Sequence, residues 1–148
     1  MNTSGKEIPP QLLRHGRPDD QEFLATEELY RRCANWPLNE HRSGIAFPFP
    51  DFSVNRQKYC ENPYWTLLPD HHNLRVISFL VGDIPAELIA EHNMQVFNFR
   101  PVHRPEDDNY SHSEISTFLD GEQITNEPPR ALRKKFRQLL AERCKLAY

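Results

Sequence analysis

The chain of 148 residues carries 26% charged and 38% apolar side chains and has a formal net charge of −3. That length favours one domain that is large enough to bury a core. The longest apolar run, Val76 to Val81, is too short for a membrane-spanning helix, and the N-terminus lacks the apolar segment of a secretory signal. The three cysteines are widely spaced and include no Cys-x-x-Cys pair, which excludes the usual thiolate zinc site and favours a cytoplasmic protein with reduced thiols.

The N-terminal part of the chain is predicted to contain one helix. Residues 1–20 are rich in proline, glycine and charge, so we expect a flexible arm before a single α+β domain over residues 21–148. The helix is predicted to run from Asp20 or Thr26 to Asn35. Thr26 is typical of an N-cap residue, and the two acids that follow it are favoured by the helix dipole.

Proline-rich sequence follows this helix. The chain has 13 prolines against 5 glycines, which predicts long, stiff, irregular connections, above all over residues 37–72. Short edge strands are predicted at Ile45–Phe47 and Phe52–Asn55, because edge strands tolerate proline. Leu74–Val81 is β-branched and almost continuously apolar, which predicts a central strand.

A short helix and two strands are predicted next. Asp83 is typical of an N-cap, and the proline behind it suits a first helical turn, so a central helix is predicted to reach about His92. Gln95–Val102 and Ser113–Leu119 have the composition of strands.

The last segment predicts a basic amphipathic helix that begins near Pro129. Leu132, Phe136, Leu139 and Leu140 recur at helical spacing, and the basic side chains lie on the opposite face. The predicted fold is therefore α+β: a small mixed or antiparallel sheet of three to five strands, an N-terminal helix, a short central helix and this basic C-terminal helix, joined by long irregular Pro-rich connections.

Charge is divided unevenly along the chain. Residues 128–148 hold seven basic residues and one acidic residue, whereas residues 61–127 hold three basic and twelve acidic residues. This contrast predicts that the basic helix pairs with its own chain, a protein partner or another copy of the chain. Nucleic acid is the less favoured partner, because the whole chain is acidic.

The segment from Arg100 to Ile115 is the predicted chemical centre, because it combines two histidines, four acids, a tyrosine and two serines. His112 and Glu114 would share one face of a strand, where a carboxylate fixes the tautomer of an imidazole and raises its pKa for acid–base work. The candidate catalytic residues are thus His112 and Glu114, supported by His103 and Tyr110. The alternative is a solvated strand face.

A second set of polar side chains predicts a site for phosphate or carboxylate. Arginine offers a planar fork of donors, and serine and asparagine add neutral donors. The candidate ligand-binding residues are Ser53, Asn55, Arg56, Tyr59 and Arg104. The alternative is an ordinary polar turn that pairs with the acidic region.

No metal or cofactor is predicted. The sequence offers two metal alternatives. The neighbouring His71 and His72 would point in opposite directions on a strand and would rarely bind one ion together. The other alternative is a two-histidine, one-carboxylate set of His103, His112 and Glu114. The chain contains no phosphate-binding loop, no Rossmann glycine motif and no zinc-deaminase Pro-Cys-x-x-Cys.

Two classes of function follow from these features. The first is a protein that binds or processes a phosphate-bearing ligand, a nucleotide or RNA, through a His/Glu/Arg site. The second is a non-catalytic interaction subunit that uses its basic C-terminal helix and acidic middle region. Whether the protein is an enzyme stays open at this point.

Overall fold

The structure is a computed structural model that describes residues 8–67 and 74–148. Within those residues the backbone forms an eight-stranded antiparallel sheet and two α-helices. The elements are β1 Glu28–Cys33, α1 Glu40–Ala46, β2 Asp51–Arg56, β3 Arg75–Leu80, β4 Glu87–Ala90, β5 Gln95–His103, β6 His112–Leu119, β7 Glu122–Gln123, α2 Arg130–Arg143 and β8 Lys145–Leu146. The strand order is β4-β5-β6-β2-β1-β3-β8, and β7 pairs with β6. Across these described residues, neither helix has the length and apolar character needed to cross a membrane.

The predicted fold class is wrong, first because the described residues 20–35 do not form the predicted N-terminal helix. Residues 28–33, which fall within the predicted helix, form β1, which lies between β2 and β3 in the sheet. Leu29 packs in one apolar cluster and Tyr30 in another, so side chains on both faces of this segment are buried. A strand can bury two opposite faces at once, and this tertiary packing outweighs the local helical signals.

The predicted central helix is also wrong. Val81–Asp83 form a single 3-10 turn, and residues 87–90 then form β4, which pairs with β5 in a hairpin. The carboxylate of Asp83 accepts a hydrogen bond from the backbone N–H of Leu80, 2.8 Å away. Asp83 therefore caps the preceding turn rather than a helix that follows it.

The edge strand predicted at Ile45–Phe47 lies instead at the end of α1. The side chain of Asn39 accepts a hydrogen bond from the backbone N–H of Arg42, 2.8 Å away, which is a helix N-cap. The cap signal was thus present in the sequence as an asparagine followed by Glu40, which the helix dipole favours.

The remaining predicted strands and the C-terminal helix are confirmed. Strands β2, β3, β5 and β6 overlap the predicted segments, and α2 begins directly after Pro129. The division of the chain at residue 20 stays a prediction. Pro10–Leu12 forms a 3-10 turn, and Leu12 is buried.

Apolar clusters lie on both faces of the sheet and fix the position of β1. The larger cluster joins one sheet face to α2 through Phe52, Phe99 and Phe136. The smaller cluster covers the other face at Tyr30 and Val76, and residues of the two 3-10 turns at 10–12 and 63–67 complete it. Because β1 contributes to both clusters, its side chains are held in defined positions on either side.

Candidate ligand-binding site

Strands β1 and β2 separate after a short paired stretch, and Arg31 fills the gap. Their pairing ends at Tyr30 opposite Asn55. The Arg31 guanidinium donates to the carbonyl of Ala46 at 2.6 Å and to the carbonyl of Ser53 at 2.8 Å. The guanidinium thus satisfies one carbonyl of β2 beyond its pairing with β1 and one carbonyl at the end of α1. Burial lowers the pKa of Arg31 to about 10, although the side chain stays charged at neutral pH.

A cavity of about 270 Å³, called here the first cavity, lies beside this gap. Its walls come from β1, β2, the turn between β5 and β6, and the 3-10 turn at 63–67. Of the nine predicted site residues, three line it. These are Ser53, Asn55 and His112.

His112 and Asn55 are held in place by hydrogen bonds. The Nδ1 atom of His112 lies 2.9 Å from the carbonyl oxygen of Arg104, and it must donate because a carbonyl only accepts. In the neutral imidazole, Nε2 is then the acceptor. The side-chain amide of Asn109 donates to Oδ1 of Asn55 at 2.9 Å, so these two amides form one polar wall of the cavity.

Glu114 lies on the same face of β6 as His112 but does not pair with it. In the sheet register, Asn55 faces His112 and Ser53 faces Glu114, so all four share a face. The Glu114 carboxylate instead makes a salt bridge of 2.7 Å to Arg104. The structure therefore joins Glu114 to one predicted ligand-binding residue, and the predicted carboxylate–imidazole pair is not formed.

Arg32 is one of the cavity residues that were not predicted from the sequence. Its half-buried guanidinium makes no hydrogen bond or salt bridge with any residue in 8–67 or 74–148. Burial lowers the pKa of Arg32, and the Glu106 carboxylate raises it to a smaller extent. A partly dehydrated cation without a fixed partner thus faces the cavity. No local pattern in the sequence indicated this role, because the segment that contains Arg32 was predicted to be a helix.

A second cavity of about 230 Å³ lies between the end of β1 and α1. Arg31 and Arg32 line it as well, and Arg42 of α1 adds a third guanidinium. Among the described residues its lining contains no carboxylate, whereas Glu106 and Asp108 line the first cavity. The two cavities therefore differ in electrostatic character although they share two arginines.

Arg56 lies on the opposite face of the sheet and is fully buried. Its guanidinium binds both carboxylate oxygens of Glu27, one of them at 2.9 Å. It also donates to the carbonyls of Asp20 and Glu22 and lies 3.9 Å from the ring centroid of Phe23. The donors of Arg56 are thus engaged by the chain itself, and this residue anchors segment 20–27.

His103, Tyr59 and Tyr110 lie beside Arg56 in the same buried cluster. The Nδ1 atom of His103 accepts from the backbone N–H of Asp20 at 2.8 Å, so Nε2 carries the proton and donates to the carbonyl of Tyr110 at 2.6 Å. The ring of Tyr59 stacks on His103 with centroids 5.9 Å apart. His103 and His112 consequently lie on opposite faces and are not brought together, so catalysis by this pair stays only a prediction.

The buried position of His103 predicts a pH effect on stability. Burial lowers the pKa of His103 below its ordinary value of 6.5, so the unfolded chain takes up the proton more readily. The free energy of unfolding should therefore fall as the pH is lowered through 6.5. Urea denaturation at pH 7.5 and 5.5 should show a smaller loss for His103→Gln than for the unmodified chain. The control is His92→Gln, which changes an exposed histidine. An equal fall in the free energy of unfolding in all three chains would contradict a lowered pKa for His103.

The basic face of α2 pairs largely with its own chain. Arg133 makes a salt bridge of 3.1 Å to Glu127, and Lys134 makes one of 3.3 Å to Glu40. Arg137 donates to the carbonyl of Phe47 at 3.0 Å. Exposed pairs of this kind stabilise a protein only slightly. The predicted protein partner or homo-oligomer stays a prediction.

Metal-binding geometry is absent from the described residues. No three His, Cys, Asp or Glu side chains converge within residues 8–67 and 74–148. His103 and His112 are separated by the sheet, and the vicinal pair His71-His72 lies outside the described residues.

Comparisons of this chain with protein-family models, with curated proteins and with solved structures found no match. The class of protein is therefore defined by the fold and the site alone: an antiparallel sheet covered by two helices, with two adjoining cavities at a break between central strands.

Proposed function

We propose that this protein binds a phosphate-bearing ligand, of the nucleotide or RNA class, at the break between β1 and β2. The observation that carries the proposal is Arg32, whose half-buried charge has no hydrogen-bond or salt-bridge partner among the described residues. Partial dehydration of a cation costs free energy, and a bound phosphate would offset that cost with charge-assisted hydrogen bonds. The guanidinium fork suits the geometry of phosphate oxygens better than an ammonium group does.

Neutral polar and aromatic groups around Arg32 support a nucleotide over a simple anion. Asn55 and His112 offer directional hydrogen bonds, and the partly exposed ring of Trp65 offers aromatic surface. A small number of convergent polar groups with aromatic walls is typical of small-molecule sites. The cytoplasm is the proposed compartment, in keeping with the buried free thiols of Cys33 and Cys60.

The proposed role is binding, and no reaction is assigned. Glu114 is paired with Arg104, and His103 lies on the other face of the sheet. His112 is left as a hydrogen-bonding group of the cavity, without a carboxylate partner to act through.

Arg32→Ala should weaken the binding of ATP and GTP by about 10- to 100-fold, since losing hydrogen bonds to a charged group costs about 1.5–3 kcal/mol. Isothermal titration calorimetry at low and moderate salt measures this. The control is Arg130→Ala, which removes an exposed arginine of α2 that lines neither cavity. Equal affinity in the Arg32→Ala and unmodified chains would contradict the proposal.

A further inference from the structure

Arg31 and Arg32 belong to the walls of both cavities, whose other residues differ. The first cavity adds two carboxylates, two amides and aromatic rings, whereas the lining of the second adds the guanidinium of Arg42, the amide of Asn35 and mainly apolar side chains. Each cavity alone falls below the roughly 300–1,000 Å³ that is typical of small-molecule sites, but the two together fall within that range. A ligand that crosses Arg31 and Arg32 would occupy both.

We infer that the ligand is a nucleoside polyphosphate whose base lies in the first cavity and whose phosphates extend into the second. This inference rests on the proposed function and specifies the orientation and class of its ligand. The carboxylates decide the orientation, because Glu106 and Asp108 repel phosphate from the first cavity. They also accept hydrogen bonds from neutral N–H donors such as those on a base edge.

The first cavity has the groups that a base requires. Aromatic rings stack on any base, and the partly exposed ring of Trp65 supplies such surface, while the buried Tyr30 forms part of the wall. The Nδ2 atom of Asn55 makes no hydrogen bond with a described residue and can donate to the polar edge of the base. The amide of Asn109 is held by Asn55 and by the backbone N–H and hydroxyl of Ser111, and it forms part of the cavity wall. These groups bear no positive charge, so they suit the neutral end of the ligand.

The second cavity has the groups that phosphates require. The Nη1 atom of Arg42 donates to the carbonyl of Pro37 at 3.0 Å. The other N–H groups of this guanidinium make no hydrogen bond with described residues. Arg31 likewise donates from Nε and Nη1 to backbone carbonyls, while its Nη2 makes no hydrogen bond with described residues. Together with Arg32, three guanidinium groups can share the charge of a polyphosphate.

The test separates the two cavities with one variant in each. Glu106→Gln changes an exposed side chain of the first cavity and preserves its size, and neighbouring Asp107→Asn, outside both cavities, is its control. Arg42→Gln changes the second cavity, with Arg130→Ala as its control. Calorimetric titrations use ATP, GTP, the two corresponding monophosphates and inorganic tripolyphosphate, and thermal melting checks that each variant is folded.

Arg42→Gln should weaken triphosphate and tripolyphosphate binding by about tenfold or more while changing monophosphate binding by less than about threefold. Glu106→Gln should weaken the tighter-binding nucleotide and leave tripolyphosphate unchanged. The orientation is overturned if Glu106→Gln strengthens tripolyphosphate binding or if Arg42→Gln leaves triphosphate binding unchanged. The proposed function still holds in either case, provided that nucleotide binding depends on Arg32. If no nucleotide binds the unmodified chain, both are overturned.

Discussion

Arg56→Met is expected to lower the free energy of unfolding by about 3–5 kcal/mol, the usual cost of breaking a buried ion pair from one side. Arg56 is fully buried, and the side chain of its partner Glu27 is only 8% exposed. Without the guanidinium, the Glu27 carboxylate becomes a buried charge with no counter-ion. The carbonyls of Asp20 and Glu22 lose their donors as well.

Chemical denaturation measures the effect, and Lys58→Met provides the control. Lys58 is half-exposed and pairs with Asp20 at 3.1 Å, so its replacement should change stability by about 1 kcal/mol or less. The double variant Arg56→Met/Glu27→Met should recover part of the loss, because it removes the unpaired charge. A loss below about 1 kcal/mol for Arg56→Met alone would show that segment 20–27 is held by other contacts.

The parts of the fold that could be predicted are those where local pattern and tertiary environment agree. Residues 75–80 are buried along most of β3, so their almost continuous apolar run correctly predicted a central strand. The stripe of Leu132, Phe136 and Leu140 likewise matched one buried face of α2. The opposite holds for residues 28–33, where capping signals favour a helix but pairing with β3 along the whole segment favours a strand.

Some residues of the candidate site could be predicted from the sequence and others could not. The predicted residues Ser53, Asn55 and His112 converge because β2 and β6 pair in a register that places Asn55 opposite His112. Arg31 and Arg32 were missed because their role depends on the break between β1 and β2, which no local pattern indicates. Arg56 was identified as important but for a different purpose, since composition does not show whether an arginine is buried.

The two faces of the sheet therefore use arginine in different ways. On one face, Arg56 is saturated by the chain and contributes to stability. At the break between strands, Arg32 keeps its donors free of described partners and faces two cavities. A buried arginine with every group satisfied stabilises the scaffold, and a half-buried arginine without partners is available to a ligand.

Phe136→Ala is expected to lower the free energy of unfolding by about 3–5 kcal/mol, because the ring is fully buried and its removal leaves a cavity. The ring centroid lies 4.7 Å from that of Phe99, 5.1 Å from that of Phe49 and 6.3 Å from that of Phe52, so three aromatic contacts are lost together. Chemical denaturation measures the loss, and exposed Lys135→Ala on the same helix should be close to neutral.

The Phe136→Ala substitution should also affect ligand binding at the second cavity. Helix α2 contacts α1, which carries Arg42, through the pair Lys134–Glu40 and the hydrogen bond from Arg137 to Phe47. Loosening α2 should therefore weaken triphosphate binding more than monophosphate binding under conditions where Phe136→Ala remains folded. A near-neutral change in stability would instead show that α2 is not anchored in the core, and the placement of α1 beside the second cavity would then require another support.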